Sequence, residues 1–355
     1  MAQNTKFNSN TGKPLVLLSP LDWGLGHTTR CVPVIQQLIY EGCLVEVACN
    51  SQQKVLLQAE FPHLTYHDLP GYGISYAKSR WITIGKLLWQ LPKMMIRIKR
   101  EHRWLKAFVS GKRVDAIISD NRFGFYAEGV PSVFITHQLA VRTGLGKWID
   151  RLAMKRNYDM IRPFSEVWVP DNGTGYSIAG SLSKPAKLPA PPVKYIGGLS
   201  RFELCSEDKA SGKTATDNRS QTDIEKEISA LRSVDLLIIL SGPEPQRTLF
   251  EHLVKQQLTG YSDTVVMLLA TPSVSGELTN AESSIPNLIT YPHLPAQLLN
   301  QLVCKSKLAI SRTGYTTVMD LLKTKKKMVL VPTPGQAEQE YLAVHLQNEQ
   351  LAITV

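Results

Sequence analysis

The chain has 355 residues, 43% of them hydrophobic and 20% charged, which suits soluble domains with real cores and is long enough for two of ordinary size. Its formal net charge of +10 is local: Lys78 to Arg113 holds eleven Lys/Arg against one acid, Glu101. A single basic patch without a paired recognition module excludes a general nucleic-acid binder, and no apolar run approaches the roughly 20 residues of a membrane span.

In chain order, short Val/Ile/Leu runs alternate with longer stretches of helical period, the signature of a mainly parallel sheet covered on both faces. The first half predicts strands near 14–19, 44–49, 64–67, 114–119, 131–136, 165–170 and 193–196. Helices are expected near 30–41, 82–108 and 146–162, with Pro33 near the first turn of the first and Pro92 bending the second. Residues 200–232 are polar and read as a linker. The pattern then restarts, with strands near 234–240, 263–270, 287–291, 307–311, 327–332 and 351–355, and helices near 246–258, 295–304, 315–324 and 337–348. The expected architecture is α/β: two Rossmann-like doubly wound domains, 1–199 and 233–355, facing across a cleft.

The polar N-terminal dozen lacks a signal-peptide core, so a cytoplasmic protein is expected. Its five scattered cysteines show no metal spacing, and neither a disulfide frame nor a metal site is expected. The 80–108 segment places apolar residues at helical spacing among Lys and Arg, flanked by Trp81, Trp89 and Trp104. It fits a helix packed on the sheet or one lying on an anionic membrane surface, and the sequence leaves both open.

Chemistry concentrates where strands end. In "AISRTGYTTVMDLL" a strand closes at Ser311-Arg312, Gly314 turns the chain, and a helix opens with Tyr315, Thr316 and Thr317. Free N–H groups at such a helix start favour a diphosphate, and Asp320 lies three residues beyond Thr317, where a carboxylate can accept ribose hydroxyls. "PTPGQAEQEYLA" again follows a strand and clusters Gln336, Glu338, Gln339 and Glu340, groups suited to a sugar ring. Near the amino terminus, "GLGHTTR" puts Gly24, Gly26 and His27 after the first strand, and imidazole suits a base at neutral pH. Asp120 and His137 close two further strands. Asp120 could orient His27 or itself be the base.

The segment 311–346 resembles the donor-binding segment of the GT-B nucleotide-sugar glycosyltransferases, and within them the family 28 group that adds N-acetylglucosamine to a lipid-linked cell-envelope precursor. The resemblance implies transfer of a sugar from a UDP-sugar to an acceptor hydroxyl, inverting and without a metal or other cofactor. Glycan or lipid-linked acceptors are both implied, with peripheral membrane association. It implies that Gly314 to Thr317 hold the diphosphate and Asp320 the ribose. Gln339 and Glu340 fall where the family has two glutamines reading the sugar, and Arg312 would neutralise the leaving UDP. "LSGPE", with Ser241 and Gly242, matches the family's loop under the diphosphate, and Pro292-His293-Leu294 its uracil-contacting stretch. The first-domain motif with Gly24, Gly26, His27 and His137 takes the acceptor side. In that family further helices follow the last strand; the sequence ends at Val355, and the resemblance covers none. A nucleotide-sugar hydrolase or epimerase on the same fold, and a non-catalytic nucleotide-sugar binder, remain alternatives.

Overall fold

A computed structural model describes residues 12–74, 80–205, 223–242, 244–271, 285 and 287–355; side chains at 80–84 and 86–88 are left aside. Two parallel sheets organise it. In the first, β1 (Leu15–Pro20), β2 (Leu44–Cys49), β3 (Thr65–Asp68), β4 (Ala116–Asp120), β5 (Ser132–Ile135), β6 (Glu166–Val169) and β7 (Val193–Tyr195) lie in the order β3-β2-β1-β4-β5-β6-β7. In the second, β8 (Val234–Ile239), β9 (Val265–Leu268), β10 (Leu288–Tyr291), β11 (Ser306–Arg312), β12 (Met328–Val331) and β13 (Ile353–Thr354) lie in the order β10-β9-β8-β11-β12-β13. Leu15-Val16-Leu17-Leu18 is at most 9% exposed, because β1 is covered by helices on both faces and flanked by β2 and β4.

The strand order reverses between β1 and β4 in one lobe and between β8 and β11 in the other. At such a switch point the outgoing connections splay to opposite faces and leave a crevice at the carboxyl ends of the strands. His27 follows β1 and Asp120 ends β4; Ser241-Gly242 follow β8 and Arg312 ends β11. The fold thus gathers the candidate residues at the two crevices.

The helices are α1 (Leu25–Tyr40), α2 (Ser51–Glu60), α3 (Arg80–Gly111), α4 (Lys147–Ile161), α5 (Asp223–Ala230), α6 (Gln246–Gln257), α7 (Ala296–Lys305), α8 (Tyr315–Lys323) and α9 (Ala337–Asn348). Three expectations change. First, α1 begins at Leu25 rather than near residue 30, capped by Gly24 at φ 80°, so His27 sits in its first turn and Pro33 lies well inside it. Second, α2 was not expected, although Asn50 and Gln53 form a reciprocal capping box at its start. Third, the 200–232 stretch contains α5, whose Ile224 and Ile228 enter the second core and whose C-terminal carbonyls at Ile228, Ser229 and Leu231 are capped by the Lys305 ammonium.

The expectation of no disulfide is also overturned. Cys205 and Cys304 are bonded, 99 residues apart in sequence and with Cα atoms 5.4 Å apart, a pairing made by the tertiary fold rather than by local spacing. Cys31, Cys43 and Cys49 are free. In α3, which continues through Pro92, Glu101 turns inward to the Arg122 guanidinium, Tyr72 hydroxyl and Gly124 N–H. The one acid of the basic segment is therefore spent inside the lobe, and Trp89 and Ile96 are exposed.

Asp171 shapes the loop between β6 and β7, accepting from the N–H groups of Asn172, Ile178 and Ala179 and from the hydroxyls of Ser177 and Ser183. Ile178, Ala179 and Leu182 of that loop pack into the core of the second lobe beside Tyr315, Met319 and Leu346.

Candidate active site between the lobes

The amino ends of α1 and α8 meet across the cleft. Thr316 Oγ1 donates to the Gly26 carbonyl at 3.0 Å, and a Cβ on Gly26 would lie 3.3 Å from that hydroxyl, so glycine permits the approach. Neither helix carries an acid in its first turn, which leaves both positive dipole ends without a side-chain counter-charge of their own. Tyr315, the first residue of α8, reaches into the first lobe: its hydroxyl donates to the Pro170 carbonyl at 2.6 Å, and its ring stacks on His137 with centroids 4.0 Å apart.

Beneath this junction lies a chain of charged groups. Asp120 is fully buried; its Oδ2 lies 3.0 Å from His27 Nδ1 and its Oδ1 pairs with Arg30 Nη2. Burial alone would raise the Asp120 pKa, but the Arg30 charge and the hydrogen bonds from His27 and Arg30 hold it below the usual carboxylate range. Arg30 Nη2 also lies 2.8 Å from His27 Nδ1, and that nitrogen cannot both accept from Arg30 and donate to Asp120. The full charge of the Asp120 carboxylate decides for donation to Oδ2, so we place the proton on Nδ1, and the Arg30 Nη2 approach is then a close contact rather than a hydrogen bond. His27 Nε2 then presents a lone pair and has no protein partner among the described residues.

The other arm of Arg30 fixes a second histidine. Nη1 donates to His137 Nδ1 at 3.1 Å, so His137 carries its proton on Nε2 and donates to Glu338 Oε1 at 2.6 Å. Burial and the Arg30 charge lower the His137 pKa, in keeping with a neutral ring, and half-buried Glu338 is a carboxylate held below its ordinary value by its His137 partner. His137 lies in the first lobe and Glu338 in the first turn of α9, so the pair spans the cleft.

The second-lobe residues gather at the ends of β8, β11 and β12 but are differently occupied. Gly242 takes φ 102° after half-buried Ser241. Ser311 is buried and donates to the Arg312 carbonyl. Arg312 has partners within the lobe: Nη1 and Nη2 donate to the Pro332 and Gln246 carbonyls, the guanidinium lies 4.2 Å over the Phe250 ring, and burial pulls its pKa down to about 10. Asp320 is 3% exposed and holds the interlobe chain, accepting from Ser200 Oγ at 2.7 Å and from the Arg201 backbone N–H at 3.3 Å, with Arg201 Nε at 3.4 Å. Leu294 is a core residue, and His293 is half-buried with its pKa pushed down to about 4 by burial and by Arg201.

Around the start of α9, Gln339 Oε1 accepts from the Thr333 N–H while its amide donates to Gln336 Oε1. Glu340 accepts from the Gly335 N–H and so closes its own loop. Gly314 caps α8, and Thr317 lies half-buried in its first turn. Arg30 was missed by the sequence reading, yet it lies three residues after His27 on one helix, a spacing at which side chains meet.

Residues 274–355 match the family model described as the Glycosyltransferase family 28 C-terminal domain. No curated protein matches the chain by sequence. Among solved structures it is similar to the spinosyn forosaminyltransferase SpnP (TM-score 0.57, 15% identity, covering 97% of this chain and 86% of that one). It is similar also to the glycosyltransferase SnogD from Streptomyces nogalater (0.56, 15%, 97% and 87%). A third is Phytolacca americana UGT2 complexed with UDP-2fluoro-glucose and pterostilbene (0.57, 13%, 96% and 85%). At these identities the likeness is one of fold. The chain has the two-lobed GT-B architecture, and the stretch that matches the family 28 C-terminal model lies in its second lobe.

Proposed function

We propose that the chain transfers a sugar from a UDP-sugar to an acceptor hydroxyl with inversion. One observation carries the reading: His27, held through Nδ1 by buried Asp120, lies in the first turn of α1, whose amino end meets the amino end of α8. Nε2 takes the proton of the acceptor hydroxyl as its oxygen bonds to the anomeric carbon. The bond from that carbon to the β-phosphate breaks on the opposite side, and UDP departs with the electron pair. Backbone N–H groups at Gly314 to Thr317 and the dipole of α8 stabilise the diphosphate charge, so no metal is needed. Gln336 and Gln339 face the sugar. A ribose contact by Asp320 requires the carboxylate to share or release Ser200 and Arg201.

The acceptor is lipid-linked on this reading. The outer face of α3 is cationic with exposed Trp89 and Ile96, and α4 adds exposed Trp148 and Leu152. Between the two helices runs a groove of about 460 Å³ whose apolar lining from Met95, Ile98, Phe123 and Met160 suits a lipid tail, with Lys99, His102, Arg103 and Asp159 also in its wall. No helix of the described residues is long and apolar enough to cross a membrane, so contact would be peripheral.

A thermal-shift screen of UDP-, GDP- and dTDP-sugars tests the donor assignment, since a ligand bound only by the folded state raises Tm by mass action. UDP-sugars should give the largest rise. A flat response to all three classes would overturn the reading, and UDP release with no acceptor present would mark a hydrolase instead.

A further inference from the structure

The proposed reaction uses His27 and Asp120 but leaves Arg30, His137 and Glu338 without a task. Arg30 is 2% exposed and its guanidinium fork is divided: one arm on Asp120, the other on His137 Nδ1. His137 is 5% exposed and sandwiched, with Tyr315 of the second lobe stacked on its ring and Glu338 of α9 bonded to its far nitrogen. We propose that Arg30 is a positioning residue which, through His137, sets where the first turn of α9 stands relative to His27.

The polarity of the chain makes this specific. Because Arg30 has only donors, His137 Nδ1 must accept, and the remaining ring proton must then point from Nε2 to an acceptor in the other lobe. Glu338 supplies it at 2.6 Å. Glu338 is flanked by Gln336 and Gln339, so holding its carboxylate also holds the side chains that the proposed function gives to the sugar; that functional consequence rests on that reading, the clamp itself does not. The same Asp120 carboxylate orients His27 and anchors Arg30, which ties the base and the donor-lobe helix to one buried reference point. Misplacement of reacting groups by about 1 Å costs on the order of a hundredfold in rate, so a device of this kind is worth its buried charges.

Hydrogen exchange read by mass spectrometry on the full chain, without donor or acceptor, tests the clamp separately from glycosyl transfer. Arg30→Lys keeps a cation for Asp120, but a point charge cannot span Asp120 and His137 together. It should raise exchange in the peptide covering 333–343 about tenfold and leave α1 near the native rate. Glu338→Gln should do the same. His137→Gln, whose amide accepts on one side and donates on the other, should keep the native rate, whereas His137→Leu should lose it. Native exchange at 333–343 in Arg30→Lys, or equal loosening by His137→Gln and His137→Leu, overturns the proposal. If Arg30→Lys does not fold, the contrast between the two His137 variants decides alone.

Discussion

Asp120 and Asp320 invite comparison. Both are buried carboxylates near the cleft, and both have an arginine partner. Yet their environments push them in opposite directions. Asp120 has the Arg30 charge in direct contact and His27 on its other oxygen, and its pKa falls below the usual range. Asp320 has Arg201 at 3.4 Å and a serine hydroxyl; burial prevails and its pKa rises. A buried acid is thus a committed charge in the first lobe and a weakly compensated one in the second. The first suits a permanent orienter, and the second suits a group whose partners can be exchanged.

The largest effect should come from Asp120→Ala, which strands the Arg30 charge in the interior. Breaking one side of a buried pair costs about 3–5 kcal/mol, read as a lower denaturant midpoint, and turnover should vanish with the orientation of His27. A midpoint within about 1 kcal/mol of the native protein would refute the committed-charge account. His27→Ala separates chemistry from folding: turnover should drop by roughly two to four powers of ten while Tm and UDP affinity stay near native. Full turnover would clear His27 of the base role.

Asp320→Ala should cost about 1–3 kcal/mol, because Ser200 and the Arg201 N–H lose their acceptor, and should weaken UDP binding in calorimetry. Unchanged UDP affinity would assign Asp320 to the chain crossing alone. The smallest effect is in pH dependence. Asp120, with its folded pKa lowered, contributes stability above its unfolded pKa of about 3.9 that is lost as pH falls through the lower folded value. Asp320, with its folded pKa raised, acts oppositely: stability declines as pH rises from about 3.9 to the raised value. Urea midpoints between pH 3 and 7 should therefore diverge in opposite senses for Asp120→Asn and Asp320→Asn. Parallel curves would erase the distinction.

Much of this was legible in the chain. Runs such as Leu15–Leu18 and Val234–Leu240 announce strands buried on both faces, and their punctuation by glycine marks the crevices. Other features were hidden for physical reasons. Gly24 and Gly26 read as loop, yet only Gly24 caps α1, and Gly26 lies within the helix, where the close approach of Thr316 favours a residue without a side chain. The signal for α2 was present in Asn50 and Gln53, and that for α5 in the i, i+4 pair Ile224 and Ile228. The pairing of His137 with Glu338, separated by 201 positions, and the Cys205–Cys304 bond follow from how the lobes and elements pack, which no local spacing encodes.

The polar stretch first taken as a connector turns out to be fastened early. Ser200 and Arg201 are bound to Asp320, Phe202 is in the second core, Glu203 exchanges hydrogen bonds with Asn300, and Cys205 is bonded to Cys304. The first lobe keeps its hold through Gly197, because the Ile196 and Gly197 N–H groups donate to the Val169 and Asp171 carbonyls at 2.9 and 3.1 Å. Only Gly198 and Leu199 remain between the two anchors, just after Gly197 at φ 76°. The described chain therefore passes from one half of the molecule to the other on two residues, like a door hung on a short strap rather than a long cord.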